Sequence, residues 1–275
     1  MAINLASKYA SKVDERFSKE SLTDAQVNQD YEFTGVVTVQ VYSIDVVDMG
    51  DYTRSGSARY GTAAELGDAI QTLTLTKDRA FTFTIDKGNQ SEQQMVKKGN
   101  VALKRQIDQK VIPEVDQRRI AVMSAAGIAN GATDATPATT SNAYTLFLAG
   151  NEVLDDALVP MKGRFAYCTP SFINKVKQDT TFVLASEMGQ KALMNGQIGE
   201  IDGVAIIKVP SSYFPANHEF IIGHKMAVVG PKKLNDYKIH DNPPGINGKL
   251  IEGRIIYDAF VLDNKVDCIY VQTSA

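Results

Sequence analysis

The N-terminal third of the chain carries two runs in which apolar and polar residues alternate. In the first run, VVTVQVYSI over 36–44, the valines at 37, 39 and 41 share one face. The second run, LTLTKDRAFTFTI over 73–85, alternates in the same way. Strict alternation is typical of strands with one covered face, so the two runs are predicted to pair as a ribbon.

A polar, glycine-containing stretch, DMGDYTRSGSARYG over 48–61, lies between the runs and would form the ribbon tip. An isolated two-stranded ribbon is marginal in water, so it must lie against its own domain or against a neighbouring copy. In the second case, tip charges would pair across the boundary and set the register, while apolar ribbon residues supply most of the cohesion. The candidate interface residues are Asp48, Asp51, Tyr52, Arg54, Arg59 and Tyr60.

A long helix is predicted over 91–126. Ser91 and Gln94 have the spacing of a capping box, and Gly127 would end the helix. Such a helix would span about 54 Å, which is longer than a compact domain, and Pro113 predicts a bend in it. One buried stripe is formed by Val96, Leu103, Ile107, Val111 and Val115.

The rest of the chain mixes strands and helices without a regular βαβ alternation, which favours an α+β fold. The first thirty residues are rich in polar side chains and are interpreted as an arm. The other predicted elements are a flexible connection over 127–142, a helix over 143–158 capped by Asn142 with Phe147, Leu154 and Leu158 on one face, a strand over 164–168, a helix that begins at Thr169 and Pro170, strands over 203–210 and 219–230, and a hairpin of 253–262 with 266–271.

Composition narrows the class of protein. The chain has 275 residues, 44% of them hydrophobic, and a formal net charge of -3, which speaks against a sequence-reading nucleic-acid binder. It contains no run of 18 apolar residues and no signal-peptide pattern, so we expect folding in a cytoplasm and no membrane partner. Cys168 and Cys268 both lie in apolar segments and are predicted to be reduced core thiols.

The sequence offers weak candidates for chemistry. No common nucleotide, nucleophile or zinc motif occurs, so no cofactor is predicted. With a cysteine, the three histidines could ligate a metal, but their spacing matches no zinc pattern. Carboxylates on the 143–158 helix and charges after Pro113 are predicted to be solvated or ion-paired. These candidates are His218, His224 and His240; Glu152, Asp155 and Asp156; and Glu114, Asp116, Arg118 and Arg119.

The order of these elements resembles the major capsid proteins of tailed bacteriophages, which share the Hong-Kong-97-type fold. The resemblance covers about 31–271. It is carried by YEFTGVVTVQV leading to DYTRSG, by LTLTKDRAFTFTID, by KVIPEVDQ in the long helix, and by LVPMKGRFAYCTP followed by GVAIIKVP. These strings are similar to the family in their order and contain no catalytic fingerprint.

The resemblance implies a domain plan and an assembly. It implies an N-terminal arm (1–30), an extended loop with flanking strands (31–86), a peripheral domain with a spine helix (87–142), an axial domain (143–250) and C-terminal strands that return to the peripheral domain (251–275). The loop would lie over a neighbouring subunit in hexamers and pentamers of an icosahedral shell, and the shell would enclose double-stranded DNA contacted without sequence specificity.

Further partners follow from the same resemblance. Some relatives join subunits covalently through a loop lysine, and here no lysine lies between Lys19 and Lys77, so that route is expected to be closed. No segment long enough to act as a fused scaffold precedes the arm, so a separate scaffolding protein is expected, together with a portal. Assembly is expected in the cytoplasm of a host bacterium, and the finished protein in the virion.

Two rival functions stay open at the level of sequence. An encapsulin-like compartment has a similar fold but would enclose cargo enzymes, which a docking peptide on a co-purified enzyme would indicate. A soluble hydrolase would use Cys168 with His218 or His224, and loss of its activity on Cys168→Ala would identify it.

Overall fold

A computed structural model describes residues 20–31, 33, 37–63, 65–88, 99–185 and 199–274. The helices are α1 Gly99–Gln106, α2 Ile112–Ala129, α3 Ala143–Asp156, α4 Pro170–Gln178 and α5 Thr180–Ala185. The strands are β1 Thr38–Ile44, β2 Asp68–Thr74, β3 Lys77–Asp86, β4 Thr133–Asp134, β5 Arg164–Cys168, β6 Glu200–Ile201, β7 Val204–Lys208, β8 His218–His224, β9 Val228–Val229, β10 Lys232–Asp241, β11 Gly248–Tyr257, β12 Phe260–Val261 and β13 Tyr270–Thr273. This mixture, without a regular βαβ alternation, confirms the α+β class.

A mixed six-stranded sheet in the order β4-β13-β8-β5-β7-β6 holds most of the core. Its central strands β5 and β8 are antiparallel neighbours, and every residue of β5 is buried. Helices cover both faces, which explains why these strands read as continuous apolar runs. One face packs against α3 and α4 through Phe147 and Phe172, and the other packs against α2 through Ile120 and Met123.

A second, three-stranded antiparallel sheet has the order β10-β11-β3. Ile255 and Tyr257 of β11 form a small core with Val115 of α2. This contact places the sheet beside the N-terminal half of α2. A short antiparallel pair of β9 with β12 and a separate ribbon of β1 with β2 complete the described strands.

The long predicted helix exists in part and is irregular. A five-residue π-helical turn, Ile107–Val111, separates α1 from α2, and Pro113 lies at the start of α2. The Ile112 N–H reaches back five residues to the Ile107 carbonyl. A wide turn fits a proline, whose ring would crowd the preceding turn of a regular helix. The predicted cap at Ser91, and Val96 of the stripe, lie outside the described residues.

The predicted helix stop at Gly127 is wrong, because α2 continues to Ala129. A β-carbon at Gly127 would lie 2.6 Å from Val271 Cγ2 and 3.1 Å from Ile269 Cγ2. The glycine therefore permits close approach of helix and sheet and does not end the helix.

Strand pairing differs from the prediction in two places. The run over 73–85 breaks after Thr74: β1 pairs with β2, in the register Val39 with Leu73, whereas β3 pairs with β11 in the other sheet. The predicted C-terminal hairpin does not form, since β11 pairs with the preceding strand β10 and with β3, whereas β12 pairs with β9 and β13 pairs with β4 and β8. The predicted strand over 219–230 is also interrupted, because residues 225–227 turn between β8 and β9.

The helices around the large sheet match the prediction more closely. Strand β5 has the predicted bounds, and the Thr169 hydroxyl accepts the Phe172 N–H at 3.2 Å to cap α4. Asn142 precedes α3, but its side chain bonds Thr139 and makes no helix cap. Leu158 does not share the buried face of Phe147, because α3 ends at Asp156. The 127–142 segment includes the end of α2 and strand β4, so it is only partly a loop.

Candidate assembly site

The β1–β2 ribbon has one face on its own chain. Leu73 and Leu75 are buried in a cluster with Phe33, Val229 and Leu262, and the valines at 39 and 41 pack against it. Alternation in β1 has the predicted meaning for Val39 and Val41, which are half-buried between exposed Thr38, Gln40 and Tyr42. Val37, predicted on the same face, precedes the strand and is 54% exposed. The base of the ribbon is covered by the body of the same subunit.

The opposite face of the ribbon changes character along its length. Near the base, Thr38 and Thr74 are paired, and their hydroxyl oxygens are 3.1 Å apart. Farther out, Tyr42 faces Ile70, and both are more than half exposed. Ten of the sixteen exposed large apolar side chains among the described residues lie between positions 37 and 70. All of these except Val37 lie on the outer half of the two strands or on the loop that joins them, so this end of the ribbon carries many uncovered apolar side chains.

All six predicted interface residues lie on the loop beyond the strands and are exposed. The rings of Tyr52 and Tyr60 meet edge to face with centroids 5.0 Å apart. The Thr53 N–H donates to the Arg59 carbonyl at 3.1 Å, and Arg59 Nε donates to the Gly56 carbonyl at 3.0 Å. Among the described residues, no ion pair involves Asp48, Asp51, Arg54 or Arg59, so their pairing with another subunit stays a prediction.

Polar anchors at the ribbon base were missed by sequence reasoning. The Asp258 carboxylate, at the turn after β11, accepts hydrogen bonds from the Thr76 N–H and hydroxyl at 2.9 and 2.7 Å. It also accepts from Arg118 Nε at 3.0 Å. Burial would raise the pKa of Asp258, but the hydrogen bonds from Thr76, Ala259 and Arg118 outweigh it and hold the pKa below its usual value.

A second polar cluster fixes the described part of the predicted arm. The buried Asp116 carboxylate accepts from the Ser21 and Thr23 hydroxyls at 2.7 and 2.6 Å. Buried Arg119 pairs with Asp24, which also pairs with Lys232 at 2.8 Å. Burial opposes ionisation of Asp24, but its bonds to Lys232 and Arg119 prevail and lower its pKa.

This cluster refines two predictions. Of the charges after Pro113, Glu114, Arg118 and Arg119 are ion-paired as predicted. Asp116 is held by hydrogen bonds and not by an ion pair among the described residues, and both Asp116 and Arg119 are buried. Residues 20–30 lie against the body, where Val27 enters the core and Asn28 bridges Val229. Contacts between positions ninety apart leave no local signal in a sequence.

The carboxylates of α3 follow the prediction. Glu152, Asp155 and Asp156 are exposed, and Asp155 forms an ion pair with Arg164 at 2.7 Å. Among the described residues, no group of three histidine, cysteine, aspartate or glutamate side chains could hold a metal ion. No described helix is long and apolar enough to span a membrane.

The structure does not assemble the hydrolase that pairs Cys168 with a histidine. Cys168 packs into the core on the α3 and α4 side of the sheet, and burial raises its thiol pKa. On the α2 side of the sheet, the His218 ring hydrogen-bonds the Ser124 hydroxyl. His224 lies opposite Arg164 in the strand register, at the other end of β5 from Cys168. A buried thiol whose pKa is raised is a poor nucleophile. Cys168 and Cys268 are both free thiols, as predicted.

The fold is similar to solved phage structures over nearly the whole chain. A structure from Mycobacterium phage Che8 has a TM-score of 0.73 and 16% identity, and the match covers 98% of this chain and 96% of that one. The capsid of Cyanophage P-SCSP1u has a TM-score of 0.74 and 16% identity, with 98% and 93% covered. The mature capsid of bacteriophage PhiM1 has a TM-score of 0.77 and 11% identity, with 98% and 92% covered.

No family model matches the sequence, and no curated protein matches it. At 11 to 16% identity, the likeness establishes a shared fold. The fold expected from the resemblance is therefore confirmed, whereas the domain boundaries and the interface residues stay predictions.

Proposed function

We propose that this chain is the major capsid protein of a tailed bacteriophage, and that it assembles with copies of itself into hexamers and pentamers of an icosahedral shell. The observation that carries the proposal is the exposed apolar outer half of the ribbon, on a fold that phage capsids share from end to end. A side chain selected only for a monomer gains nothing from such exposure.

Exposed apolar residues on the loop at the end of the ribbon would contribute to a contact with a neighbouring copy. Val46, Val47 and Met49 are 92%, 75% and 99% exposed. Fully burying each would contribute about 1.5 to 3 kcal/mol, before the costs of ordering the loop and of association. One such contact is therefore weak alone. In a closed shell it becomes effectively intramolecular after the first contacts form, so weak contacts suffice.

The tip residues take a defined part in this assembly. Asp48, Asp51, Arg54 and Arg59 carry charges of both signs and form no ion pair among the described residues, and they would pair with the neighbouring subunit. Tyr52 and Tyr60 would supply aromatic contact area beside them. Exposed pairs contribute about 0 to 1 kcal/mol each, so these charges would set the register of the contact and not its strength.

The shell would enclose packaged double-stranded DNA. A chain with a net charge of -3 suits an inner wall along which DNA must slide, since a strongly basic wall would bind phosphates. A separate scaffolding protein and a portal complete the proposed assembly, which would take place in the host cytoplasm and end in the virion. The chain would have a structural role and no catalytic one. The arm, extended loop, peripheral and axial domains would have the boundaries predicted above.

An encapsulin-like compartment is the rival shell. The phage structures that share the fold favour the viral assignment. A cargo enzyme bound inside purified particles would reverse this preference.

Electron microscopy of the purified full-length protein tests the proposal. We expect hollow angular particles from the natural sequence and none after deletion of residues 50–61. A sharper variant replaces Val46, Val47 and Met49 with serine. The matched control also introduces three serines, in place of Val101, Val153 and Leu158, which are exposed apolar residues outside the ribbon.

Both variants should fold, as judged by circular dichroism, because none of the replaced side chains is buried. Shells from the control but not from the ribbon variant would support the proposal. Normal shells from the ribbon variant or from the deletion would contradict it.

A further inference from the structure

The junction between the ribbon and the body is organised around a single buried carboxylate. The chain leaves the ribbon at Thr74 and enters β3 at Lys77, and in the gap the side chain and N–H of Thr76 both donate to Asp258 Oδ2. The other oxygen, Oδ1, accepts from Arg118 Nε at 3.0 Å and from the Ala259 N–H at 2.9 Å. The Asp258 side chain is completely buried.

The same junction is tied to one face of α2. Arg118 lies one helical turn after Glu114, so the two side chains project from the same side. Glu114 accepts from Arg79 Nε of β3 at 2.8 Å and from the Tyr257 hydroxyl of β11 at 3.0 Å. The helix therefore holds β3, the end of β11 and, through Asp258, the base of the ribbon at Thr74–Thr76, called its root below.

A second anchor lies farther along the ribbon. Gln71 Nε2 donates to the Val261 carbonyl and to Asp263 Oδ1, both at 2.9 Å. Beyond it, β2 continues with Asp68, Ala69 and Ile70, all exposed. The stretch between Gln71 and Thr76 is fixed to the body, together with Val39 and Val41 of the paired strand, whereas among the described residues no hydrogen bond joins 68–70 to the body.

We propose that Asp258 is the positioning residue that sets the direction of the ribbon relative to α2, and that the ribbon bends outside Gln71 and not at its root. The next step rests on the proposed function. In a shell, movement of α2 would be transmitted to the ribbon through Arg118, Asp258 and Thr76. The π-helical turn before α2 gives that helix a place to bend.

An isosteric change tests the role of the carboxylate. Four donors converge on the two oxygens, and Asp258→Asn turns one oxygen into an NH2 group. If the amide nitrogen takes the Oδ2 position it faces the Thr76 N–H, and if it takes the Oδ1 position it faces two N–H donors. Either orientation leaves at least one donor opposed by another, which a carboxylate never does.

The matched control is Asp78→Asn. Asp78 pairs with Arg254 at an exposed site on the same sheet, so the control removes one carboxylate charge and one arginine partner without touching the ribbon root. Where Asp258→Asn fails to fold, Arg118→Gln is the second variant. It removes the link to α2 and leaves the Thr76 and Ala259 bonds intact.

Two measurements on the full-length, unassembled subunit report on the clamp, meaning the contacts of Asp258 with Thr76, Ala259 and Arg118. Hydrogen exchange at the Thr76 amide should accelerate about tenfold or more in Asp258→Asn and stay unchanged in Asp78→Asn. Spin labels on Thr72→Cys and Glu152→Cys, two exposed positions, measure the distance between the ribbon base and the body. Cys268 is replaced by serine so that it is not labelled. That distance distribution should broaden in Asp258→Asn and in Arg118→Gln but not in the control.

Unchanged exchange and an unchanged distance distribution in a folded Asp258→Asn subunit would overturn the proposal. An unchanged distribution in a folded Arg118→Gln subunit would overturn the link to α2. In shells, Asp258→Asn should give particles of mixed size where the control gives uniform ones. A natural protein that forms no shells would refute the proposed function, while the subunit measurements would still decide the clamp.

Discussion

Gly150, near the middle of α3, allows a test in which sequence and structure predict opposite signs. Intrinsic helix propensity favours alanine over glycine by about 1 kcal/mol, so Gly150→Ala would stabilise an isolated helix. In the fold, a β-carbon at this position would lie 2.6 and 2.7 Å from two ring carbons of Tyr270 and 3.2 Å from Ile222 Cδ1. The two contacts with Tyr270 are too short for non-bonded carbon atoms, so the ring would have to move.

The Tyr270 ring is held against such movement. It is 4% exposed in the core, and its hydroxyl donates to Gln272 Oε1 at 2.9 Å. Gln272 in turn donates to the Thr136 carbonyl at 2.8 Å. Overpacking a closed core costs about 1 to 3 kcal/mol, and loss of one hydrogen bond about 0.5 to 1.5 kcal/mol. Against the propensity gain of about 1 kcal/mol, we expect a net loss of about 0.5 to 3.5 kcal/mol.

The assay is urea unfolding of the unassembled full-length subunit, followed by circular dichroism. Ala149→Gly is the control, because Ala149 is exposed in the same helix and reports propensity alone, with an expected loss of about 1 kcal/mol. A Gly150→Ala subunit more stable than the natural one would refute the close packing of α3 on β13 and β8.

Three further predictions concern stability. The pKa values of Asp24 and Asp258 are lower in the folded chain than in the unfolded one. The two carboxylates therefore stabilise the fold fully above the unfolded pKa, and this stabilisation is lost as pH falls through the folded pKa values. The urea midpoint should decrease below about pH 4, and it should decrease less steeply in Asp24→Asn. Thr169→Ala should cost about 1 kcal/mol by removing the α4 cap, whereas exposed Ser171→Ala should change the unfolding free energy little; equal effects would contradict the cap. Leu158 is 89% exposed with a φ of 57°, so Leu158→Gly should stabilise the subunit by up to about 1 kcal/mol in the same urea assay, and a loss would contradict the left-handed turn.

Local signals predicted the elements whose conformation depends on neighbours in sequence. The cap at Thr169, the proline after it and the bounds of β5 follow from a few adjacent residues. The alternating face of β1 is equally local, because the period of two decides which side chains are covered.

Pairing partners could not be predicted in the same way. The run over 73–85 has apolar residues at alternate positions on both sides of the charged residues 77–79, yet Thr76 is held by Asp258, 182 positions away, and the chain changes sheets there. Gly127 fits a helix stop by its identity, and only the side chains of Ile269 and Val271 show that it is a contact glycine. The assembly site was predicted from a general property of ribbons: two paired strands alone cannot cover both of their faces, so another surface must cover them.

The division of the ribbon explains how one segment can serve both folding and assembly. If its apolar outer residues had covered the body, Leu73 and Leu75 would not also be buried there, because opposite faces of a strand cannot pack on one surface. The inner face is covered by the chain itself at Leu73 and partly at Val39 and Val41, and the outer face carries Tyr42 and Ile70 into solvent. Since the register with β1 fixes which residues face outward, a one-residue slip would exchange the two faces and lose the body contact first. The root therefore protects the orientation of the surface that a neighbouring subunit would bind.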